Sequence, residues 1–303
     1  GFGPIRVREP IVLGHEVAGT VRAVGAGVEG VAPGDRVAVN PSRPCNACRY
    51  CLDGLQQHCL AMRFFGSALR FPHEQGGFRD LMVVDAFQCV RVDNPEVSLA
   101  EAACAEPLAV CLHALNRAGA SAGNLAGKSV LVTGAGPIGA LTVAAARHAG
   151  AAEIVATDLQ DLPLEVARRM GATETVNVRT APERLDAFFE GKGCFDVAFE
   201  CSAAAPALKT AVTATRPQGT VVAVGVAGDV PMPLNLIVGK EIAFVGTHRF
   251  TREYAEAVRL IDRRRIDVRP IVTSTHDLAD ALAAFQAAGD RARSIKVQLS
   301  FAS

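Results

Sequence analysis

The stretch Ser129-Val-Leu-Val-Thr-Gly-Ala-Gly-Pro-Ile-Gly139 constrains the fold more than any other part of the chain. Val130 to Thr133 is a short, apolar, β-branched run and predicts a buried parallel strand. Gly134-x-Gly136-x-x-Gly139 follows at once. Ile138 to His148 then carries apolar residues at helical spacing up to Gly150, which predicts a C′ glycine. Strand, glycine turn and helix in that order are the context in which GxGxxG binds a dinucleotide. Gly134 permits the tight turn, Gly136 lets the backbone approach a pyrophosphate, and Gly139 lets the helix pack close to the strand. Pro137 suits the first helical turn, where its missing N–H costs nothing. The pyrophosphate is expected at the positive end of that helix, around Pro137 and Ile138.

The next strand, Glu153 to Thr157, ends in Asp158. An acid about 20 residues beyond the glycines hydrogen-bonds the adenosine ribose hydroxyls. No Arg or Lys follows it in Leu159-Gln160-Asp161, which favours NAD over NADP. Helical and strand patterns keep alternating after Asp158. Helices are expected at Leu164–Met170, Pro182–Phe189 and Pro206–Thr215, and strands at Thr175–Val178, Asp196–Glu200, Thr220–Val224 and Glu241–Val245. With the strands at Val130 and Glu153 this makes six, the pattern of a doubly wound α/β sheet.

The flanks read differently. Residues 11–40 alternate apolar with small or polar positions between glycines, and strand character returns at Leu81–Val84 and Val90–Val92, which predicts a small strand-rich barrel. Residues 99–118 are Ala-rich and helical. The tail carries helices at Arg252–Arg264 and Leu278–Ala288 and a last strand at Ser294–Leu299. Arg263-Arg-Arg265 reads as a solvated helix C-terminus. At 303 residues two domains are expected, and a net charge of zero argues against nucleic acid or an anionic membrane as partner. No leader and no membrane-spanning run is visible, so the cytosol is the expected compartment.

Nine cysteines in such a chain point to metal or structural thiols. Cys45-x-x-Cys48-x-x-Cys51-x7-Cys59 has the spacing of a closed tetrahedral zinc site with a structural role. Cys89, Cys104, Cys111, Cys194 and Cys201 read as buried small hydrophobes, and His113 as a packing residue. Gly14-His15-Glu16 ends a strand-like run. With Glu106 of Ala105-Glu-Pro-Leu108 it offers imidazole and carboxylate ligands for a catalytic zinc; a structural histidine is the competing reading.

Gly14-His15-Glu16, Pro33-Gly34-Asp35-Arg36-Val37, the four-cysteine lobe, Glu106-Pro107-Leu108 and the glycine fingerprint together resemble the zinc-containing medium-chain dehydrogenases, in that family's order and across nearly the whole chain. Glu106 stands where the alcohol dehydrogenases carry a Cys, as in the polyol (sorbitol-type) branch. Phe64–His73, Gln75–Phe78 and His248–Phe250 look most like that branch's sugar-acid dehydrogenases. The resemblance implies a GroES-like catalytic domain over 1–110 and 247–303, with the zinc lobe at 41–62, and a dinucleotide-binding Rossmann domain over 111–246. It implies His15, Glu16 and Glu106 around a catalytic zinc, with Glu16 and Glu106 direct or water-bridged ligands. It also implies Arg249 and Phe65 near the substrate, and Val224, Gly225 and Val226 along the nicotinamide.

The implied activity is oxidation of a secondary alcohol on a sugar acid or polyol by NAD, with L-idonate the expected donor and 5-ketogluconate the product. Sorbitol, xylitol or threonine oxidation is the alternative within the class. A catalytically silent NAD-binding protein holding only the structural zinc is the alternative outside it. A homodimer or homotetramer is implied by the family alone. The family's first zinc ligand is a Cys upstream of Gly-His-Glu, and 14 residues precede His15. On that ground part of the barrel is expected to be missing, and a chain of these residues is expected to hold about one zinc, in the cysteine lobe. It is expected to turn over poorly, because Cys104 on a helix cannot take the place of the absent ligand.

Overall fold

The computed structural model describes residues 6–119, 124–226 and 228–301. The chain opens with β1 (Val17–Thr20) and β2 (Arg36–Val39). A short ladder of β3 (Ser42–Arg43) and β4 (Arg63–Phe64) then brackets helix α1 (Arg49–Leu52), and β5 (Cys89–Arg91) follows. Strands β1, β2 and β5 form an antiparallel sheet in the order β1-β2-β5. Helices α2 (Leu99–Ala103) and α3 (Ala105–Arg117) lead into β6 (Ser129–Thr133), α4 (Pro137–His148), β7 (Glu153–Asp158), α5 (Asp161–Arg169) and β8 (Glu174–Asn177). The alternation continues through α6 (Asp186–Phe189), β9 (Phe195–Glu200), α7 (Ala205–Ala214), β10 (Thr215–Ala223), α8 (Leu234–Gly239) and β11 (Ala243–Gly246). Helix α9 (Glu253–Asp262), β12 (Val272–Asp277), α10 (Ala281–Gly289) and β13 (Lys296–Ser300) close the chain.

The six expected strands form one parallel sheet in the order β11-β10-β9-β6-β7-β8. The order reverses between β6 and β9, the switch point where doubly wound sheets open a crevice for a ligand. Successive side chains of a strand face opposite sides. Val130 and Val132 accordingly enter the core under α3, α4 and α9, while Leu131 enters a second core with Leu208 and Val212 of α7. Both faces of the sheet are therefore buried, which is why its strands carry continuous apolar runs.

Helix α4 ends as its sequence predicts. Gly150 has φ +93°, its N–H donates to Arg147 O, and the Ala151 N–H donates to Ala146 O, the paired bonds of a glycine-terminated helix. The buried Lys240 ammonium donates to the carbonyls of Val212, Thr213 and Thr215 at 3.0, 2.8 and 2.7 Å and ties off the end of α7.

Some expectations change. The Ala-rich helix is two helices, parted at Cys104. Pro107 has no N–H for the Ala103 carbonyl, so α3 restarts with the proline inside its first turn. Leu81–Val84 is not a strand: Val83 is 97% exposed and the segment joins no ladder among the described residues. The last strand gains a partner that the sequence did not signal, with β12 running parallel to β13. Cys104 and Cys111 are buried and Cys89 and Cys201 half-buried, but Cys194 is exposed beside β9. Arg264 lies beyond α9 and pairs with the buried Glu101 of α2, so the arginine triplet is partly structural rather than only solvated.

Gly139 is the tightest point of the fingerprint. A Cβ there would run into the carbonyl oxygen of Gly134. Gly139→Ala should destabilise the protein by about 1–3 kcal/mol and weaken NADH binding, read by urea unfolding and NADH fluorescence. An unchanged unfolding midpoint would show that the turn has slack.

Candidate active site and metal centres

His15 is placed by a glycine-rich loop. The N–H groups of Gly76, Gly77 and Phe78 donate to the carbonyls of Val12, Gly14 and Leu13, and Gln75 Oε1 accepts the Val12 N–H at 2.7 Å. A Cβ on Gly76 would run into the backbone of Leu13 and Gly14, and one on Gly14 would lie 2.6 Å from the Phe78 ring. Only glycines let the two segments lie this close, and their closeness sets where His15 emerges before β1.

Glu106 comes from the first turn of α3 and is buried. His15, Glu16 and Glu106 each bring one donor atom within 4.8 Å of the others. Burial pulls the His15 pKa down to about 4, with Lys296 and Arg249 adding to the effect, so its imidazole is neutral at physiological pH and free to act as a ligand. Burial pushes the Glu106 carboxyl up to about 8 against the opposing pull of Arg249. A buried carboxyl raised in this way beside a neutral imidazole is a donor set that a divalent cation would ionise and hold.

Glu16 is ion-paired with Lys296 of β13, whose own pKa burial lowers to about 8. Cys104 turns elsewhere: its thiol donates to Ala100 O at 3.5 Å and lies 3.8 Å from Gln298 Nε2. Arg249 stacks its guanidinium over Phe64, 4.1 Å from the ring centroid, and the same ring meets His15 at 5.4 Å. Phe64 thus stands between His15 and Arg249, and Phe65, half-buried, lies one residue further on. Sequence reading also missed Lys296, which carried no signal beyond a place in a strand.

Cys45, Cys48, Cys51 and Cys59 converge around α1, their sulfurs within 4.8 Å of one another. Cys51 Sγ lies 4.0 Å from Cys45 Sγ and 3.6 Å from Cys48 Sγ. A tetrahedral Zn–S distance of about 2.3 Å places the sulfurs about 3.8 Å apart, so the lobe has the dimensions of a closed zinc site. Backbone N–H groups of Cys45 and Cys48 point at the sulfurs of Cys59 and Cys45 at 3.2 and 3.4 Å, and those of Ala47 and Cys48 bring the Cys45 thiol down. Those of Leu60 and Cys51 bring the Cys48 thiol down to about 6.

The strand order reverses between β6 and β9, and it is outside the C-terminal ends of such strands that a doubly wound sheet takes a ligand. Gly134 has φ +86°, and a Cβ on it would meet Ser202 beyond β9 at 2.7 Å. A Cβ on Gly136 would meet nothing within 4 Å, which leaves a cradle for a pyrophosphate. As N-cap of α4, Gly136 supplies no capping side chain, so no side chain caps the first-turn amides at Ile138 and Gly139. Asp158 closes β7, its Oδ2 accepting the Ala135 N–H at 2.8 Å and its Oδ1 those of Leu159 and Gln160. On the far side Glu200 O accepts the N–H groups of Val224 and Gly225 at 2.8 Å. Val224 is buried and Val226 is 68% exposed.

A glycine-fingerprint sheet beside an imidazole–carboxylate cluster and a four-thiol lobe defines a metal-dependent dehydrogenase. The chain belongs to the zinc-binding dehydrogenase family: the zinc-binding dehydrogenase model matches residues 137–263 and the alcohol dehydrogenase GroES-like domain residues 3–94. It is 39% identical to the L-idonate 5-dehydrogenase (NAD(P)(+)) of Escherichia coli (strain K12), over 99% of this chain and 85% of that protein. The crystal structure of L-idonate 5-dehydrogenase from the same species superposes with a TM-score of 0.93, covering 99% of this chain and 84% of that one. The sorbitol dehydrogenase of Gallus gallus is 34% identical over 98% of this chain and 82% of its own length. A zinc-binding dehydrogenase from Sinorhizobium meliloti bound to NADP superposes at 0.85 with 29% identity, covering 95% of this chain and 83% of that one.

His113, expected to serve packing alone, shares a buried carboxylate. Its Nδ1 lies 3.0 Å from Glu253 Oε1. Burial pushes the Glu253 carboxyl up, but bonds from His113, Thr251 and Asn116 outweigh it and hold the carboxyl far below the usual range. A depressed carboxyl stabilises the fold above its unfolded pKa of 4.5 and loses that contribution as pH falls further. Glu253→Gln should therefore cost about 2 kcal/mol at pH 7, with a narrowing gap below pH 4.5. Urea unfolding at both pH values measures this, and equal stability at pH 7 would refute it.

Proposed function

We propose that this protein is a zinc-dependent, NAD-linked dehydrogenase that oxidises a secondary alcohol of a sugar acid, with L-idonate the best-supported donor and 5-ketogluconate the product. The observation that carries this reading is Arg249, poised over Phe64 and within electrostatic reach of His15 and Glu106. A guanidinium there offers a bidentate partner for a carboxylate, which a sugar acid has and a neutral polyol lacks. The relatives named for L-idonate support the same substrate. The sorbitol dehydrogenases favour a neutral polyol as the second reading.

His15, Glu16 and Glu106, whose donor atoms converge, would hold a catalytic zinc in addition to the one zinc expected from the sequence, and it would supply Lewis acidity that lowers the pKa of a substrate hydroxyl. His15 brings a neutral nitrogen, and Glu106 brings charge from the helix that also faces the cofactor crevice. Glu16 divides its carboxylate between this site and Lys296. Cys45, Cys48, Cys51 and Cys59 would hold a structural zinc. Bound NAD supplies the hydride acceptor. Gly134, Gly136, Pro137, Ile138 and Gly139 would seat its pyrophosphate, Asp158 the ribose, and Val224, Gly225 and Val226 the nicotinamide end. Phe65 remains a candidate at the substrate rim beside Phe64.

This reading divides the chain into 1–110 with 247–303 around the metal and 111–246 around the cofactor. The free edge of β11, with Val226, Leu234 and Val238 exposed nearby, supports a homodimer or homotetramer. No helix of the described residues is long and apolar enough to cross a membrane. Nine free cysteines support a reducing, cytoplasmic setting. Balanced charge argues against a nucleic-acid partner.

The substrate reading is tested with a panel of aldonates and neutral polyols on the zinc-loaded protein. L-Idonate should give the higher kcat/KM, and Arg249→Lys should lower it about tenfold for aldonates while leaving sorbitol nearly unchanged. Sorbitol turned over as efficiently as L-idonate would overturn the assignment.

Cofactor choice is tested at Asp158, whose carboxylate opposes a 2′-phosphate. The parent protein should prefer NAD, and Asp158→Ala should narrow that preference about tenfold. Equal kcat/KM for NAD and NADP in the parent protein would remove Asp158 from this role.

A further inference from the structure

We infer that Glu253 is a positioning residue for Arg249: with His113 and Asn116 it clamps the turn that carries the guanidinium to the metal cluster. The inference rests on the reading of Arg249 as the substrate-carboxylate partner. Residues 247–252 join β11 to α9 and belong to neither a helix nor a strand, so side chains must set their course. Arg249 sits in that turn with φ +52°, a left-handed conformation that a residue with a Cβ keeps only when its surroundings hold it.

Those surroundings are specific. Glu253 Oε2 accepts the Thr251 N–H at 2.8 Å and the Thr251 hydroxyl at 3.2 Å, which fixes the main chain two residues after Arg249. Its Oε1 faces His113 Nδ1 at 3.0 Å and accepts from Asn116 Nδ2 at 2.9 Å, which ties the turn to α3. Arg117 Nε, on the same helix, donates to Gly246 O at 3.0 Å, before the turn begins. Both neighbours of Arg249 are also held. His248 stacks on His58 of the cysteine lobe at 5.8 Å, with the rings 20° from parallel, and the buried Phe250 packs on Tyr254 at 5.5 Å.

Bracing the start of α9 accounts for the bonds from Thr251 to Glu253. It does not explain why a buried carboxylate also takes two side-chain partners from another helix. That helix is α3, which carries Glu106 at its other end. The clamp therefore refers Arg249 to the element that bears a candidate metal ligand, so that the guanidinium and Glu106 are both placed by α3. The stacking of His58 on His248 adds the four-cysteine lobe to the same support, so disorder in that lobe is expected to reach the substrate as well as the melting temperature.

The test is a double-mutant cycle in the full, zinc-loaded chain. Glu253→Ala should raise KM for L-idonate about tenfold, with KM for NAD unchanged and KM for sorbitol nearly so. Arg249→Ala should do the same, and Arg249→Ala/Glu253→Ala should add less than about twofold to Arg249→Ala alone. Multiplying effects, or a Glu253→Ala protein that loses only thermal stability, would overturn the positioning role. Amide hydrogen exchange keeps the clamp testable apart from the substrate reading. If Arg249→Ala leaves KM for L-idonate unchanged, the carboxylate reading fails. The clamp then still requires faster exchange across 246–252 in Glu253→Ala, and unchanged protection there refutes it. Asn116→Ala, which removes one donor and little packing, should give the same pattern at about threefold if Glu253→Ala does not fold.

Discussion

The rest of the molecule depends on the burial of α3 on nearly every side. Residues 105–109 and 111–115 are all buried, and the helix packs between α4 and α9. Alanines at 105, 109 and 114 let neighbouring helices come close, and the Cys111 thiol reaches Ile138 O at the start of α4. One helix therefore touches the dinucleotide fingerprint with its middle, presents Glu106 at its first turn and grips the 246–253 segment with its last turns. A packed helix barely deforms, so these three positions keep their relative geometry.

Electrostatics at the His15 cluster follow from the same burial. Charge removed from water is costly, and here burial drives three of the groups toward their neutral forms: Glu106 upward, His15 and Lys296 downward. Carboxylates, an imidazole, a lysine and an arginine nonetheless share the pocket, and each opposes or relieves another. Such crowding gives little net stability. Its value is chemical, because a cation entering the cluster would meet a neutral nitrogen and a buried carboxyl that its charge would ionise.

Glycines do comparable work in both halves of the molecule by allowing backbone to touch backbone. At Gly76 the loop lies against Leu13 and Gly14 to aim His15, and at Gly139 the helix lies against Gly134 to aim its amides at the crevice. The first of these carries no general signature beyond a Gly-Gly pair. The second is a motif because strand, turn and helix impose its spacing locally.

The amino-acid sequence by itself determined whatever depends on near neighbours. The six-stranded sheet was legible because each strand–helix unit announces its own period and its own stop. The cysteine lobe was legible because all four thiols lie within 15 residues, close enough for spacing alone to bring them together. His15, Glu16 and Glu106 could be named as candidates, since their residue types suit zinc. Their convergence from segments some 90 residues apart is a property of the fold. Only tertiary structure decided that Phe64 rather than Phe65 lies between His15 and Arg249, that Lys296 answers Glu16, and that His113 grips Glu253. Those pairs span up to 280 positions, and no local period reports which distant side chain will fill a given space. Contacts of that range are settled by how the layers pack, and packing is fixed only when the whole chain has condensed.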